Sequence, residues 1–252
     1  MDTTPTLPLT LKKIYEDRSA TDLEGNVLKL HSEVSEGEAI ILMKMVAASN
    51  AKVTVETGLA FGVSALAICH ASRAVNGSNR MHYGVDPNQL TEYGGSALAS
   101  LKKEGLDQNF TLLEGPSHMM LPKLIEAGVV LDCAFVDGWH TFDYTLIDFF
   151  LIDKMLKRDG YIAFHDMYAF SKQKVLRFIL SHRKYRIEKK FKVKGNETFK
   201  TTIKFFLWRL YKNPRLLFSW FHWNYQLFNS SGLIVLKKIE SFEPEFSFYK
   251  KF

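Results

Sequence analysis

Residues 53–64 read Val53-Thr54-Val55-Glu56-Thr57-Gly58-Leu59-Ala60-Phe61-Gly62-Val63-Ser64, and a second β-branched and aromatic run, Met81-His82-Tyr83-Gly84-Val85-Asp86, closes on a carboxylate. A short apolar strand feeds an acid, then two glycines, then the helical pattern Ser64-Ala65-Leu66-Ala67-Ile68. Glycines let the backbone turn tightly and approach a ligand, and the helix that follows offers unpaired N–H groups. An acid at the tip of the next strand can hydrogen-bond both hydroxyls of a ribose. The pattern is that of a nucleotide-binding strand, loop and helix.

Working outward, strands and helices alternate. Strands are expected over 53–56, 81–85, 109–113, 131–136 and 160–165, with helices over 63–73, 94–104, 117–127 and 142–157 between them. Such alternation with short connections argues for a parallel sheet covered by helices on both faces. Upstream, Ser35 and Glu38 form a capping box before the apolar run Ile40, Ile41, Leu42, Met45 and Val46, which marks a helix leading into the first strand. Residues 1–34 are a polar, weakly patterned N-terminal segment, expected to be extended or a short helix over one domain spanning 1–252. Downstream, a helix from Ser171 to His182 is followed by strands at Tyr185–Lys189 and Ser231–Leu236.

A chain of 252 residues, 46% hydrophobic and 24% charged, suits one large soluble domain. Cys69 and Cys133 both sit in apolar runs and read as buried thiols of a reducing compartment. With no signal-type segment or long apolar span, the expected location is cytoplasmic. The net charge of +6 is unevenly placed: residues 1–169 hold 14 Lys and Arg against 22 Asp and Glu, and residues 170–252 hold 19 against 5. A basic C-terminal third on an acidic body points to an anionic partner or surface, to a dimer contact, or to a solvated face.

In an open parallel sheet, ligands bind beyond the carboxyl ends of the strands, where strand order reverses. Here those ends are Glu56, Asp86, Glu114-Gly115-Pro116-Ser117, Asp137-Gly138-Trp139-His140 and His165-Asp166, while the strand interiors are apolar. The spacing Gly58-x-x-x-Gly62 departs from the dinucleotide fingerprint G-x-G-x-x-G and would serve a pyrophosphate badly. It resembles the glycine loop of class I S-adenosylmethionine-dependent methyltransferases. From Ser35 to Asp166 the chain is similar to the catechol-type O-methyltransferases and to the bacterial family that methylates sugars and natural products. The matching pieces are Glu56-Thr57-Gly58 with Gly62-Val63-Ser64-Ala65, Val85-Asp86, Glu114-Gly115-Pro116-Ser117, Phe135-Val136-Asp137-Gly138-Trp139-His140 and Gly160-Tyr161-Ile162-Ala163-Phe164-His165-Asp166.

The resemblance implies a doubly wound, mostly parallel seven-stranded α/β sheet with an antiparallel last strand, and a small-molecule or sugar hydroxyl as methyl acceptor. It implies that Glu56, Thr57, Gly58, Gly62 and Ser64 shape the methionine end of the S-adenosylmethionine site, that Asp86 takes the ribose, and that Gly115 and Ser117 approach the adenine. Trp139 walls the pocket. Asp137 and Asp166 match the aspartates that bind magnesium or another divalent cation in metal-dependent members, but Met167 stands where those have Asn or Asp, leaving His165, His140 or water to complete the shell. His140 takes the place of a lysine base, and an imidazole, with an ordinary pKa near ~6.5, can accept a hydroxyl proton at neutral pH. The resemblance also puts Asp137, as a metal ligand, among the catalytic residues.

Between the last two strands lies an insertion, 196–229, with Trp208, Trp220 and Trp223, five bases and the single acid Glu197. It reads as a lid, a homodimer contact, or a helix pair against an anionic membrane surface. No Asn-Pro-Pro-Tyr or Asp-Pro-Pro-Tyr loop of amino-methylating enzymes is present, so a nucleic-acid substrate is not expected. The alternative to an enzyme is a binding or scaffolding protein of the same fold, acting through its basic C-terminal third.

Overall fold

The computed structural model describes residues 5–191 and 232–252, with 207, 210, 211 and 214 between them. Its centre is a seven-stranded sheet. In chain order the strands are β3 (Val53–Thr57), β4 (Met81–Asp86), β5 (Phe110–Glu114), β6 (Leu131–Val136), β7 (Leu156–Phe164), β8 (Tyr185–Ile187) and β9 (Ile234–Lys238), arranged β5-β4-β3-β6-β7-β9-β8. The five central strands run parallel, and β9 enters antiparallel to both β7 and β8. This is the doubly wound architecture expected from the alternation.

Side chains on successive strand residues point to opposite faces, and each face finds its own helical layer. Cys133, Phe135, Tyr161 and Ala163 join the core under α2 (Glu36–Ser49) and α3 (Val63–Asn76). Ala134, Val136, Ile162 and Phe164 join the core under α5 (Ser117–Glu126), α6 (Phe142–Met155) and α7 (Phe170–His182). Phe135, Phe149 and Phe164 are among the largest side chains wholly removed from water. Strands buried on both faces need such apolar continuity.

The capping box at α2 is present in both directions, Ser35 accepting from the Glu38 amide and Glu38 from that of Ser35. The N-terminal segment is more ordered than expected: helix α1 (Leu9–Asp17) is followed by a hairpin, β1 (Ser19–Thr21) with β2 (Val27–Lys29). Its strands are three residues long, too short for a periodic signal. β7 begins at Leu156 rather than at residue 160, running on directly from α6. Its first turn of strand, Lys157-Arg158-Asp159, is exposed and polar, which hides it from a pattern search. α4 (Ser96–Lys103) completes the layer beside α3. Apart from four positions, the insertion 196–229 lies outside the described residues. Among the described residues no helix is long and apolar enough to cross a membrane.

Candidate active site

The order of the sheet reverses between β3 and β6, whose carboxyl ends diverge after Thr57 and Val136. The Gly58 amide donates to Val85 O at 2.8 Å and the Asp137 amide to Thr57 O at 2.9 Å, so both connections are tied at the moment they leave the sheet. Gly58 has φ +83°, and a Cβ there would lie 2.3 Å from the Asp137 carbonyl oxygen. At Gly62, φ is +79° and a Cβ would lie 2.5 Å from the Ala97 Cα. Both glycines are thus required by close approach as well as by backbone conformation.

Asp86 is buried, and its carboxylate already organises the loop: Oδ2 accepts from the Leu59 and Ala60 amides at 2.8 and 3.0 Å, and Oδ1 from the Asn88 amide at 2.8 Å. Ala60, a residue with a side chain, is thereby held at φ +44°.

The loop opens onto a cavity of about 480 Å³, within the range that encloses small-molecule ligands. Of the residues expected at a site, Thr57, Gly58, Ser64, Asp86, Ser117, Asp137, Trp139, His140 and Asp166 line it. Ser32, Glu33 and Val34 border it from the N-terminal segment, and Asn88, Tyr93 and Tyr144 also contribute. Trp139 is 68% exposed, which sets aside a core-packing role.

Four expected residues do not line the cavity. Glu56 shares the face of Thr54, opposite that of Thr57, and is fully buried, with Oε1 2.9 Å from His82 Nε2 and His82 Nδ1 2.8 Å from Thr54 Oγ1. Its Oε2 finds no hydrogen-bonding partner among the described residues. Gly62 acts from behind the loop, as the helix N-cap. Gly115, at φ +150°, shapes the turn before α5, where a Cβ would meet the Met120 side chain at 2.9 Å. His165 is withdrawn for an electrostatic reason.

His165 lies between two carboxylates, Nδ1 at 3.1 Å from Asp137 Oδ1 and Nε2 at 3.3 Å from Glu38 Oε2. Both ring nitrogens face acceptors, so both carry protons, and an imidazolium cannot ligate a metal. Burial opposes that charge, but the hydrogen bonds and charges of Asp137 and Glu38 outweigh it and raise the His165 pKa to about 10. Burial likewise works against the Glu38 carboxylate, yet His165 and Ser35 hold its pKa down at about 2. Lys172 is fully buried below, donating from Nζ to His165 O at 3.0 Å and standing 3.9 Å from Asp137 Oδ1. Burial lowers its pKa, and Asp137, Asp166 and Asp148 work in the other direction. Asp137 is held below the ordinary carboxylate range: its burial is overcome by the neighbouring His140 and His165 rings.

The group that does converge is Asp137, His140 and Asp166, each offering one ligand atom within 4.8 Å of the others. His140 Nε2 is 3.3 Å from Asp166 Oδ2 and 3.6 Å from Asp137 Oδ1. Two carboxylate oxygens and one imidazole nitrogen, facing an open cavity, suit a divalent cation with room for further ligands. Of the candidates offered to complete the shell, His140 falls within this group and His165 does not, and Met167 is buried.

Sequence reasoning missed Asp148 and Gln89. Asp148 projects from α6 and accepts from Thr57 Oγ1 at 2.9 Å; burial keeps its pKa raised against the opposing pull of nearby Ser117 and Thr57. A lone acid within Leu146-Ile147-Asp148-Phe149-Phe150 was the available signal.

Residues 55–167 match a family model described as a methyltransferase domain. No curated protein matches the chain. Among solved structures, the O-methyltransferase TomG from Streptomyces achromogenes, involved in tomaymycin synthesis and in complex with SAM, superposes with a TM-score of 0.58 at 16% identity, covering 73% of this chain and 82% of its own. The O-methyltransferase from Bacillus cereus in complex with SAH gives 0.58 at 13% identity, covering 74% and 86%. The SAH-bound methyltransferase PaMTH1 of Podospora anserina gives 0.52 at 18% identity, covering 68% of each chain. In its motifs and its fold the chain resembles the class I S-adenosylmethionine-dependent methyltransferases.

Proposed function

We propose that the chain transfers the methyl group of S-adenosylmethionine to a hydroxyl of a small-molecule or sugar acceptor. The observation that carries this reading is one cavity lined both by the glycine loop with Asp86 and by Asp137, His140 and Asp166. The solved relatives named O-methyltransferases support a hydroxyl as the acceptor. Gly58, Ser64, Asp86 and Ser117 hold the cofactor, and Trp139 walls the cavity beside it. The sulfonium brings a methyl group that is already activated, so the chain has to orient the nucleophile and remove its proton.

His140 is the group that takes that proton. Its ring is half exposed at the cavity, and Asp166, 3.3 Å from Nε2, stabilises the imidazolium that results. A second reading is favoured by the close triad: Asp137, His140 and Asp166 would hold a divalent cation, which would supply Lewis acidity to the acceptor hydroxyl. His140 is then a ligand rather than a base.

Titration calorimetry with S-adenosylmethionine, with and without magnesium, tests the cofactor assignment. Micromolar binding by the wild type that is lost in Asp86→Ala is expected, and absence of binding in every condition overturns the reading. Activity that survives exhaustive chelation removes the metal and leaves His140 as base.

A further inference from the structure

Gln89 belongs to the connection between β4 and α4, does not line the cavity, and is fully buried. Its side chain spans two elements that are otherwise separate in the chain. Nε2 donates to the Ala60 carbonyl at 2.8 Å, and Oε1 accepts from the Ala97 amide at 3.1 Å. A carbonyl can only accept and an amide N–H can only donate, so a single orientation of the Gln89 amide satisfies both partners. Ala60 is the loop residue held at φ +44°, and Ala97 is the residue against which Gly62 packs without space for a Cβ.

Two side chains thus fix the same loop residue from opposite sides, Asp86 through the Ala60 amide and Gln89 through the Ala60 carbonyl. Asp86 touches the cavity, whereas Gln89 acts only through the loop. We infer that Gln89 is a positioning residue for the cofactor loop: it clamps Ala60 to the first turn of α4 and so sets the affinity of the site for S-adenosylmethionine without contacting it. The inference about affinity rests on the cofactor reading above; the inference about the loop does not.

The two parts separate experimentally. Gln89→Glu keeps the size of the side chain and the acceptor for Ala97 but, when ionised, loses the donor to Ala60. Gln89→Met loses both bonds at similar volume. Hydrogen exchange of the cofactor-free protein is expected to accelerate about tenfold at the amides of residues 58–62 in each folded variant, with the β6 and β7 amides unchanged. Titration with S-adenosylmethionine is expected to give a dissociation constant about tenfold weaker in both variants at pH 8. For Gln89→Glu alone, the weakening relative to wild type should shrink at pH 5.5, because a protonated carboxyl again supplies a donor to Ala60.

Unchanged exchange at 58–62 in either folded variant overturns the clamp. Acceleration spread through the whole sheet also overturns it, since that would mark general packing. Local acceleration with unaltered affinity overturns the link to the cofactor. Local acceleration in the variants, together with a wild type that binds no S-adenosylmethionine, refutes the cofactor reading and leaves the clamp standing.

Discussion

Gly58 is the residue where two strands, a loop and a cavity wall compete for the same space. Its φ of +83° is in the left-handed region, and the position a Cβ would take is 2.3 Å from backbone at Asp137, which cannot rotate away. Gly58→Ala is therefore expected to destabilise the fold by about 2–4 kcal/mol, combining backbone strain with a displaced strand end. Urea denaturation measures this, and a loss below about 0.5 kcal/mol would mean that the loop relaxes freely. Such glycines can be read in a sequence because no other residue is tolerated there. Glu56 shows the converse. Motif position puts it at the ligand, whereas strand alternation puts it on the face of Thr54 and opposite Thr57, and alternation proved the better guide. Gln89 and Lys172 were unreadable for a different reason: each acts on a partner brought close by the fold alone, as when Lys172 reaches under Asp137.

Asp132 shows how elements are joined at the end of the sheet away from the cavity. It sits in β6 where the pairing with β7 slips by a bulge, and its Oδ2 accepts from the Lys52 and Val53 amides at 2.7 and 2.8 Å, which fixes the entry of β3. Lys157, from the first part of β7, stands 2.5 Å from Oδ1. Burial alone would raise the Asp132 pKa, but Lys157 and the two amides hold it below the ordinary carboxylate value. A depressed folded-state pKa contributes stability that is fully present above the unfolded value of about 4 and disappears as pH falls through the folded value. Because Lys157 is 42% exposed, its share is discounted for solvent screening. Asp132→Asn is expected to remove about 1–2 kcal/mol at pH 7. The stability difference between the two proteins should shrink as pH falls from about 4 through the folded-state value, and a difference that stays constant with falling pH would assign the loss to packing instead. At this scale the parallel strands were legible because each carries a run of β-branched, aliphatic or aromatic residues bounded by turn signals, even where, as in the edge strand β5, burial is only partial. The hairpin β1–β2 and the start of β7 were not, because short or exposed segments carry no such pattern.

At the scale of the whole molecule, the basic and acidic parts of the chain are divided by position in the fold. The strand ends that line the cavity carry Asp86, Asp137 and Asp166, and Glu33 and Glu92 also border it, while none of the lining residues is Lys or Arg. Such a field attracts a cation, and S-adenosylmethionine bears a net positive charge at neutral pH. The positive charge of the chain is concentrated after residue 169, where 19 bases face 5 acids. Residues 196–229 contribute five of those bases and one acid. Among the described residues, the strands on either side of that segment are tied to each other and to α6. β8 and β9 pair from Tyr185–Lys238 to Ile187–Leu236, Lys238 Nζ stands 2.9 Å from Asp153 Oδ1, and the Tyr185 hydroxyl donates to the same carboxylate oxygen at 2.6 Å. Shortening a loop between paired strands changes its closure entropy only slowly with length. Deletion of 196–229 is therefore expected to leave the melting temperature within about 5 °C of wild type. S-adenosylmethionine binding should be retained, because every residue assigned to the cofactor lies outside the deleted segment. If calorimetry instead shows that binding is lost while the protein melts normally, the segment is part of the cofactor site and acts as a lid. If binding and melting both hold, retention on anionic vesicles and the sedimentation coefficient, compared before and after deletion, distinguish a membrane contact from a dimer contact. In either of those cases the segment's function is carried by its charge and aromatic content, apart from the methyl-transfer site.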